Sequence, residues 1–236
     1  MKINSHNIQK GKKTFVIAEI GMNHNGSVKR AKKLIDHASA MKVDCVKFQM
    51  RSLKDLYSKD ALNISSGDLS TQYTLNLLKK FELSLKDFKS LSDYAKQKNI
   101  IFMCTPWDKK SVDNLEKLDV PAYKIASFEI THLPLIKKVA QTGKPVIISS
   151  GMASLSELND AVSLLREHGT THICMLKCTS AYPAKPDDAN LITIKHMMDT
   201  FNVVGGLSDH TLGIEVPIAS VVLGARVIEK HFTLSR

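Results

Sequence analysis

The sequence predicts an α/β protein of the (β/α)8 TIM-barrel class, on three observations. Eight short apolar runs recur along the chain, several nearly continuous in apolar residues, as strands covered on both faces are. Helix-patterned segments lie between successive runs, which makes right-handed βα units and a parallel sheet. The 236 residues, with no break in composition, suit one closed barrel domain better than an open sheet.

The predicted strands are FVIAEIG (15–21), CVKFQ (45–49), IIFMCTP (100–106), AYKIAS (122–127), PVIISSG (145–151), HICMLKCTS (172–180), NVVGGLSD (202–209) and RVIEKHF (226–232). Residues 1–13 form an N-terminal extension expected to cap the barrel. The first helix is expected over 27–41. Val28, Ala31, Leu34, Ile35, Ala38 and Met41 share one face there, and Ser27 is the N-cap. Ser154 and Glu157 make a capping box that opens a second clear helix, and Gly169 stops it. Segments 87–98, 109–118, 134–141, 191–200 and 214–223 read likewise. The interval from Gln49 to Ile100 is too long for one helix. Its first part, RSLKDLYSKDALNISSGDLST (51–71), reads as an extended loop insertion after the second strand with room for a short helix. The chain stops just past the eighth strand, so the last helix of a complete barrel is expected to be missing.

Composition excludes some classes of function. Hydrophobic residues make up 43% and charged residues 24%, as in an ordinary globular protein. No apolar run is long enough to span a bilayer, and no signal peptide is legible. The net charge is +10, but the lysines are spread over helix faces without interleaved aromatics, so nucleic acid is not the expected partner. Cys45, Cys104, Cys174 and Cys178 make no CxxC pair and are expected as buried thiols in the cytoplasm.

Function in a barrel lies at the C-terminal ends of the strands. Polar residues gather there, among them Glu19, Lys47, Gln49, Thr105, Lys124, Ser127, Glu129, Ser149, Ser180, Tyr182, Ser208, His210, Glu229 and His231. Burying an ammonium in an apolar strand costs several kcal/mol unless it is paired. By the strand period of two, Lys47 and Gln49 share one face and Val46 and Phe48 the other. If the apolar pair faces the helices, Lys47 points into the barrel. With Lys124 and several serines it makes a pocket suited to a phosphate and a carboxylate. His210 and His231 close successive strands, which lie roughly 5 Å apart. They read either as core or capping residues or as two ligands of one divalent metal. Asp209 is a candidate for orienting such a ligand.

The stretches AEIGMNHNG (18–26), VKFQ (46–49), CTPWD (104–108), YKIASFE (123–129), ISSGM (148–152), KCTSAYP (177–183), GLSDHTLG (206–213) and VIEKHFTLSR (227–236) resemble the sialic acid synthase family, in particular its pseudaminic and legionaminic acid branches. The resemblance implies a barrel followed by an antifreeze-like domain, and a homodimer. It implies condensation of phosphoenolpyruvate with an N-acetylated amino sugar to a nonulosonic acid plus phosphate, by C–O cleavage. His210 and His231 match the family's ligands for a divalent metal, Mn2+ first with Mg2+ or Co2+ as alternatives. Lys47, Thr105, Lys124, Ser127, Ser149, Ser180 and Ser208 match positions that hold phosphoenolpyruvate. Glu129 and Tyr182 match sugar contacts, with Gln49 beside them. Glu19, Lys47, Glu129 and His210 fall at catalytic positions, Glu19 as the carboxylate that handles a proton.

Two rival readings remain. One is an aldolase that forms a Schiff base on Lys47 or Lys124. The other is a catalytically silent barrel that binds only a metal or an anionic ligand.

Overall fold

A computed structural model describes residues 1–63 and 69–235. A two-residue hairpin, β1 (Lys2–Ile3) and β2 (His6–Asn7), leads into the barrel. The barrel strands are β3 (Phe15–Gly21), β4 (Cys45–Met50), β5 (Ile101–Pro106), β6 (Tyr123–Ile125), β7 (Val146–Ser149), β8 (Ile173–Cys178), β9 (Val204–Asp209) and β10 (Val227–His231). All neighbours are parallel, and β10 closes the barrel on β3. The crossover helices include α1 (Val28–Ala40), α5 (Leu85–Gln97), α6 (Lys109–Lys117), α7 (Leu133–Ala140), α8 (Leu155–Glu167), α9 (Thr193–Phe201) and α10 (Glu215–Val222). The predicted strands and helices therefore occur where the apolar periodicity put them. Three strands end two residues before the expected end: the fourth at Ile125, with Ser127–Glu129 already a 3-10 helix, the fifth at Ser149 and the sixth at Cys178.

The insertion after β4 corrects the reading of an extended loop. It holds α2 (Leu53–Leu56), α3 (Lys59–Asn63) and α4 (Leu69–Phe81) ahead of α5. Residues 64–68 of that stretch, like Arg236, lie outside the described residues. Leu75 and Leu78 of α4 bury against Leu53, which gives these short helices a small core of their own. Tertiary packing decides a helix here where local apolar periodicity was weak.

Two apolar layers surround the strands. Residues facing outward, such as Val46, Phe48, Phe102, Ile125 and Ile148, pack under the helices. Residues facing inward at the lower end, among them Phe15, Ile17, Met103, Ile147, Leu176 and Val227, fill the barrel together with Ile3 and Ile8 around the hairpin. Two residues further along each strand the inward positions turn polar: Ile17 gives way to Glu19, Cys45 to Lys47, Met103 to Thr105, Ile147 to Ser149 and Val227 to Glu229. The barrel is thus plugged at the bottom and charged at the top. No helix among the described residues is long and apolar enough to cross a membrane.

Gly206 shows how tightly the lower layer is packed. It lies between Leu176 and Val227 in register. A methyl group there would sit 2.4 Å from Leu176 Cδ2 and 2.5 Å from the Val227 carbonyl oxygen. The backbone partner cannot yield cheaply. Gly206→Ala is therefore expected to lower stability by about 1–3 kcal/mol in urea denaturation.

Candidate active site

The polar layer opens into a cavity of about 300 Å³ at the C-terminal end of the barrel. Its floor is an ion cluster. The Lys47 ammonium lies 2.6 Å from Glu19 Oε2 and 3.7 Å from Glu229 Oε1, and it donates to Thr105 Oγ1 at 3.0 Å. All four residues are buried. Lys124 is buried too, donating to Ser149 Oγ at 2.6 Å and to its neighbour's carbonyl, Ile125 O, at 3.0 Å. Lys47 and Gln49 do share the inward face, and the Gln49 Nε2 donates to Glu19 Oε1 at 2.9 Å.

The charges tune one another. Burial alone would discharge Lys47, but Glu19 and Glu229 outweigh it and hold the ammonium above the usual lysine range. Burial, joined by the Glu229 carboxylate, raises Glu19 above the ordinary value despite Lys47. Glu229 is also penalised by burial, yet Lys124 and Lys47 keep it below the ordinary value. Lys124 is lowered by burial, with Glu229 opposing. The two carboxylates are therefore pushed apart: Glu229 stays ionised while Glu19 is the easier one to protonate.

One wall is a close convergence over Gly151. A methyl group at that residue would meet Ser180 Oγ at 2.5 Å, Ser127 Oγ at 2.8 Å and Cys178 Sγ at 3.2 Å. The Gly151 N–H donates to Ser127 Oγ at 3.1 Å. Only a glycine lets these three side chains line the cavity together with the backbone.

Across the cavity the His210 and His231 rings have centroids 5.6 Å apart, and the Tyr182 ring lies 4.0 Å from His210. His210 Nδ1 faces the Thr179 carbonyl at 2.8 Å, which makes Nδ1 the donor and turns Nε2 toward the cavity. Burial and the neighbouring His210 lower His231 to about 4, so its ring is neutral at neutral pH. Against burial, hydrogen bonds to Cys178 and to the Thr179 carbonyl raise His210 above the ordinary imidazole value, so a divalent ion there would compete with a proton. Among the described residues no group of three or more His, Cys, Asp or Glu is arranged to hold one. His210 and His231 are the residues whose ring nitrogens could hold such an ion.

Of the residues singled out in the sequence, Glu19, Lys47, Gln49, Thr105, Lys124, Ser127, Ser149, Ser180, Tyr182, Ser208, His210 and His231 line this one cavity. Glu129 does not. It is buried at the end of the 3-10 turn while its neighbour Phe128 takes the lining position. Asp209, a candidate to orient a histidine, instead pairs with Lys230 and accepts from Thr211 Oγ1 at 2.8 Å. It follows Ser208 on the strand and so faces the helices. Glu229, polar at the end of the predicted eighth strand, shares strand parity with His231 and lines the same cavity. Trp107, Phe128 and Met152 also line the cavity, and apolar side chains at loop tips carry no sequence signal for that.

The fold and the cavity together define a class: a parallel (β/α)8 barrel whose mouth carries paired buried lysines, two carboxylates and two imidazoles. The chain belongs to the NeuB family, whose sequence profile matches residues 34–236. It is 44% identical to the N,N'-diacetyllegionaminic acid synthase of Campylobacter jejuni, over 95% of this chain and 69% of that one. It is 40% identical to the pseudaminic acid synthase of Helicobacter pylori, over 94% of this chain and 66% of that one. The crystal structure of an N-acetylneuraminic acid synthetase from Leptospira borgpetersenii, in complex with citrate, superposes with a TM-score of 0.90 at 33% identity, covering 100% of this chain and 78% of that one.

Burial raises Glu129 from 4.5 to about 8. Because the folded value is the higher one, neutral Glu129 stabilises the fold at low pH, and that contribution is lost as pH rises from about 4.5 through 8. Glu129→Gln, which cannot ionise, is expected to gain thermal stability relative to wild type across that window. A difference between the two proteins that stays constant from pH 5 to 9 would contradict the assignment.

Proposed function

We propose that this chain carries the site that condenses phosphoenolpyruvate with the aldehyde of an N-acetylated amino sugar, giving a nonulosonic acid and phosphate. The observation that supports the reading best is the pair of buried ammoniums, Lys47 and Lys124, set among hydroxyls on the floor of the cavity. A small trianionic acid suits such a floor. Its phosphate and carboxylate would be met by Lys47, Lys124, Thr105, Ser127, Ser149, Ser180 and Ser208. The names of the relatives point to the same chemistry.

The bonds change in a balanced sequence. Carbon 3 of phosphoenolpyruvate bonds to the aldehyde carbon, whose oxygen becomes a hydroxyl by gaining a proton. Water adds to carbon 2, and phosphate departs as that carbon–oxygen bond breaks. His210 and His231 would hold a divalent ion, Mn2+ in this proposal, and such an ion supplies Lewis-acid polarisation of a carbonyl oxygen. Glu19, raised by burial and in contact with Lys47, is placed to move the proton. Lys47 keeps its proton and acts through charge. Tyr182 would contact the sugar from the rim, and Gln49 from beside Glu19 with the second hydrogen of its NH2 group. Glu129 enters as a neutral group behind the Phe128 wall, supporting that rim. The reaction is assigned to the cytoplasm, which suits the buried free thiols of all four cysteines.

A Schiff-base reading survives for one residue only. Lys124 is lowered by burial, which favours a free amine, whereas Lys47 is held charged. Borohydride trapping of a substrate adduct on Lys124, with activity surviving a chelator, would establish that reading instead.

Two measurements test the condensation. With Mn2+ present, phosphate release from phosphoenolpyruvate should depend on an added N-acetylated amino sugar from a panel, and no release with any of them would refute the proposal. His210→Ala and His231→Ala should each lower bound metal by about tenfold or more in elemental analysis. Unchanged metal content in both would remove the ligand assignment.

A further inference from the structure

We propose that Arg51 is a positioning residue for this reaction: it fixes the Gln49 side-chain amide so that its NH2 group faces Glu19. The inference rests on the proposed role of Glu19 in proton transfer. Arg51 lies one residue past β4 and does not line the cavity, so it acts through Gln49 and not on substrate.

The geometry is a short relay. Arg51 Nη2 donates to Gln49 Oε1 at 2.8 Å, and Gln49 Nε2 donates to Glu19 Oε1 at 2.9 Å. A glutamine amide has nearly the same shape in its two orientations and differs only in where its donor and acceptor lie. A guanidinium has donors and no acceptor, so beside Arg51 the amide must present its oxygen to Arg51. Its NH2 then has one place to go, the Glu19 carboxylate. Reversing the amide would set N–H against N–H at one end and oxygen against oxygen at the other.

Arg51 can impose this because it is itself held. Its guanidinium lies over the Trp107 ring, 3.7 Å from the centroid. Strand register presents the two to each other: the Trp107 N–H donates to Met50 O at 3.0 Å. Just beyond, the Ser52 N–H donates to Asp108 Oδ2 at 2.7 Å. Asp108 is buried and also caps α6 by accepting from the Ser111 N–H at 2.7 Å. Trp107 is braced in turn by an edge contact with Phe128 at 4.8 Å. On the other side Gly21, at φ +53°, closes over the pair. A methyl group there would come within 3.1 Å of Glu19 Oε1 and 3.3 Å of Gln49 Nε2. Glu19 and Gln49 are thus held between a glycine backbone and a stacked arginine.

A planar, stacked fork is what the relay uses, so charge alone will not replace it. Arg51→Met and Arg51→Lys should both lower kcat for phosphate release about tenfold or more, with KM for phosphoenolpyruvate changed less than about twofold. Gln49→Leu should do the same. The Arg51→Met, Gln49→Leu double variant should be no slower than the worse single variant by more than about twofold, because both cut one relay. Multiplying effects in the double variant, a rise in KM with kcat intact, or full activity in Arg51→Lys would each overturn the proposal. A readout without turnover separates it from the reading it rests on. In 15N NMR the Gln49 side-chain NH2 should be protected from exchange in wild type and lose that protection in Arg51→Lys. Wild-type protein that shows this protection and its loss, yet releases no phosphate, would refute the condensation but not the relay. Equal exchange in both proteins would refute the relay. Trp107 is the only tryptophan, so its fluorescence reports in every variant whether the wall beside position 51 is folded.

Discussion

The mouth of this barrel depends on one buried ammonium, that of Lys47. It sits 2.6 Å from Glu19 and within 3.7 Å of Glu229, with almost no solvent to stabilise any of the three. Each charge alone would cost several kcal/mol to bury; together, and with Lys124 near Glu229, they balance. The cluster needs a rigid frame, since a loosened pair would leave an uncompensated charge. The frame comes from parallel strands that place the four groups at the same height and from the apolar plug of Ile17, Met103, Ile147 and Val227 beneath them.

The same constraint makes the site usable. Burial drives the two glutamates in opposite directions, so that one stays ionised and the other takes up a proton more readily. The lysine between them remains a fixed charge. Around this floor the side chains that would touch substrate come from strand ends, while the apolar rim, Trp107, Phe128 and Met152, comes from the loops that follow. Charge thus lies below, held by the strands, and apolar surface above, held by the loops.

Most of the fold was legible because barrel strands write an unusual pattern: apolar on both faces, then polar on the inner face alone. That pattern located Lys47, Gln49, Lys124 and Ser149 before any coordinates. Glu229 carried the same signal, at the end of the eighth strand with the parity of His231, and only its pairing with Lys47 needed the structure. The pattern could not place Glu129, because a three-residue strand followed by a 3-10 turn ends the alternation two residues early. The helices between Leu53 and Phe81 were less legible because two of them are only four and five residues long, and Leu53 finds its partners, Leu75 and Leu78, on a different helix. The Arg51 stack was invisible for a related reason: positions 51 and 107 become neighbours only through strand register.

In the proposed reaction the paired lysines, Lys47 and Lys124, form the anion floor for phosphoenolpyruvate. Calorimetric titration of phosphoenolpyruvate alone, without sugar, into wild type and into Lys124→Met tests it most directly. Saturable binding by wild type, weakened about tenfold or more in the variant, is the expected result. Equal affinity in the two proteins, or no binding to wild type, would contradict it.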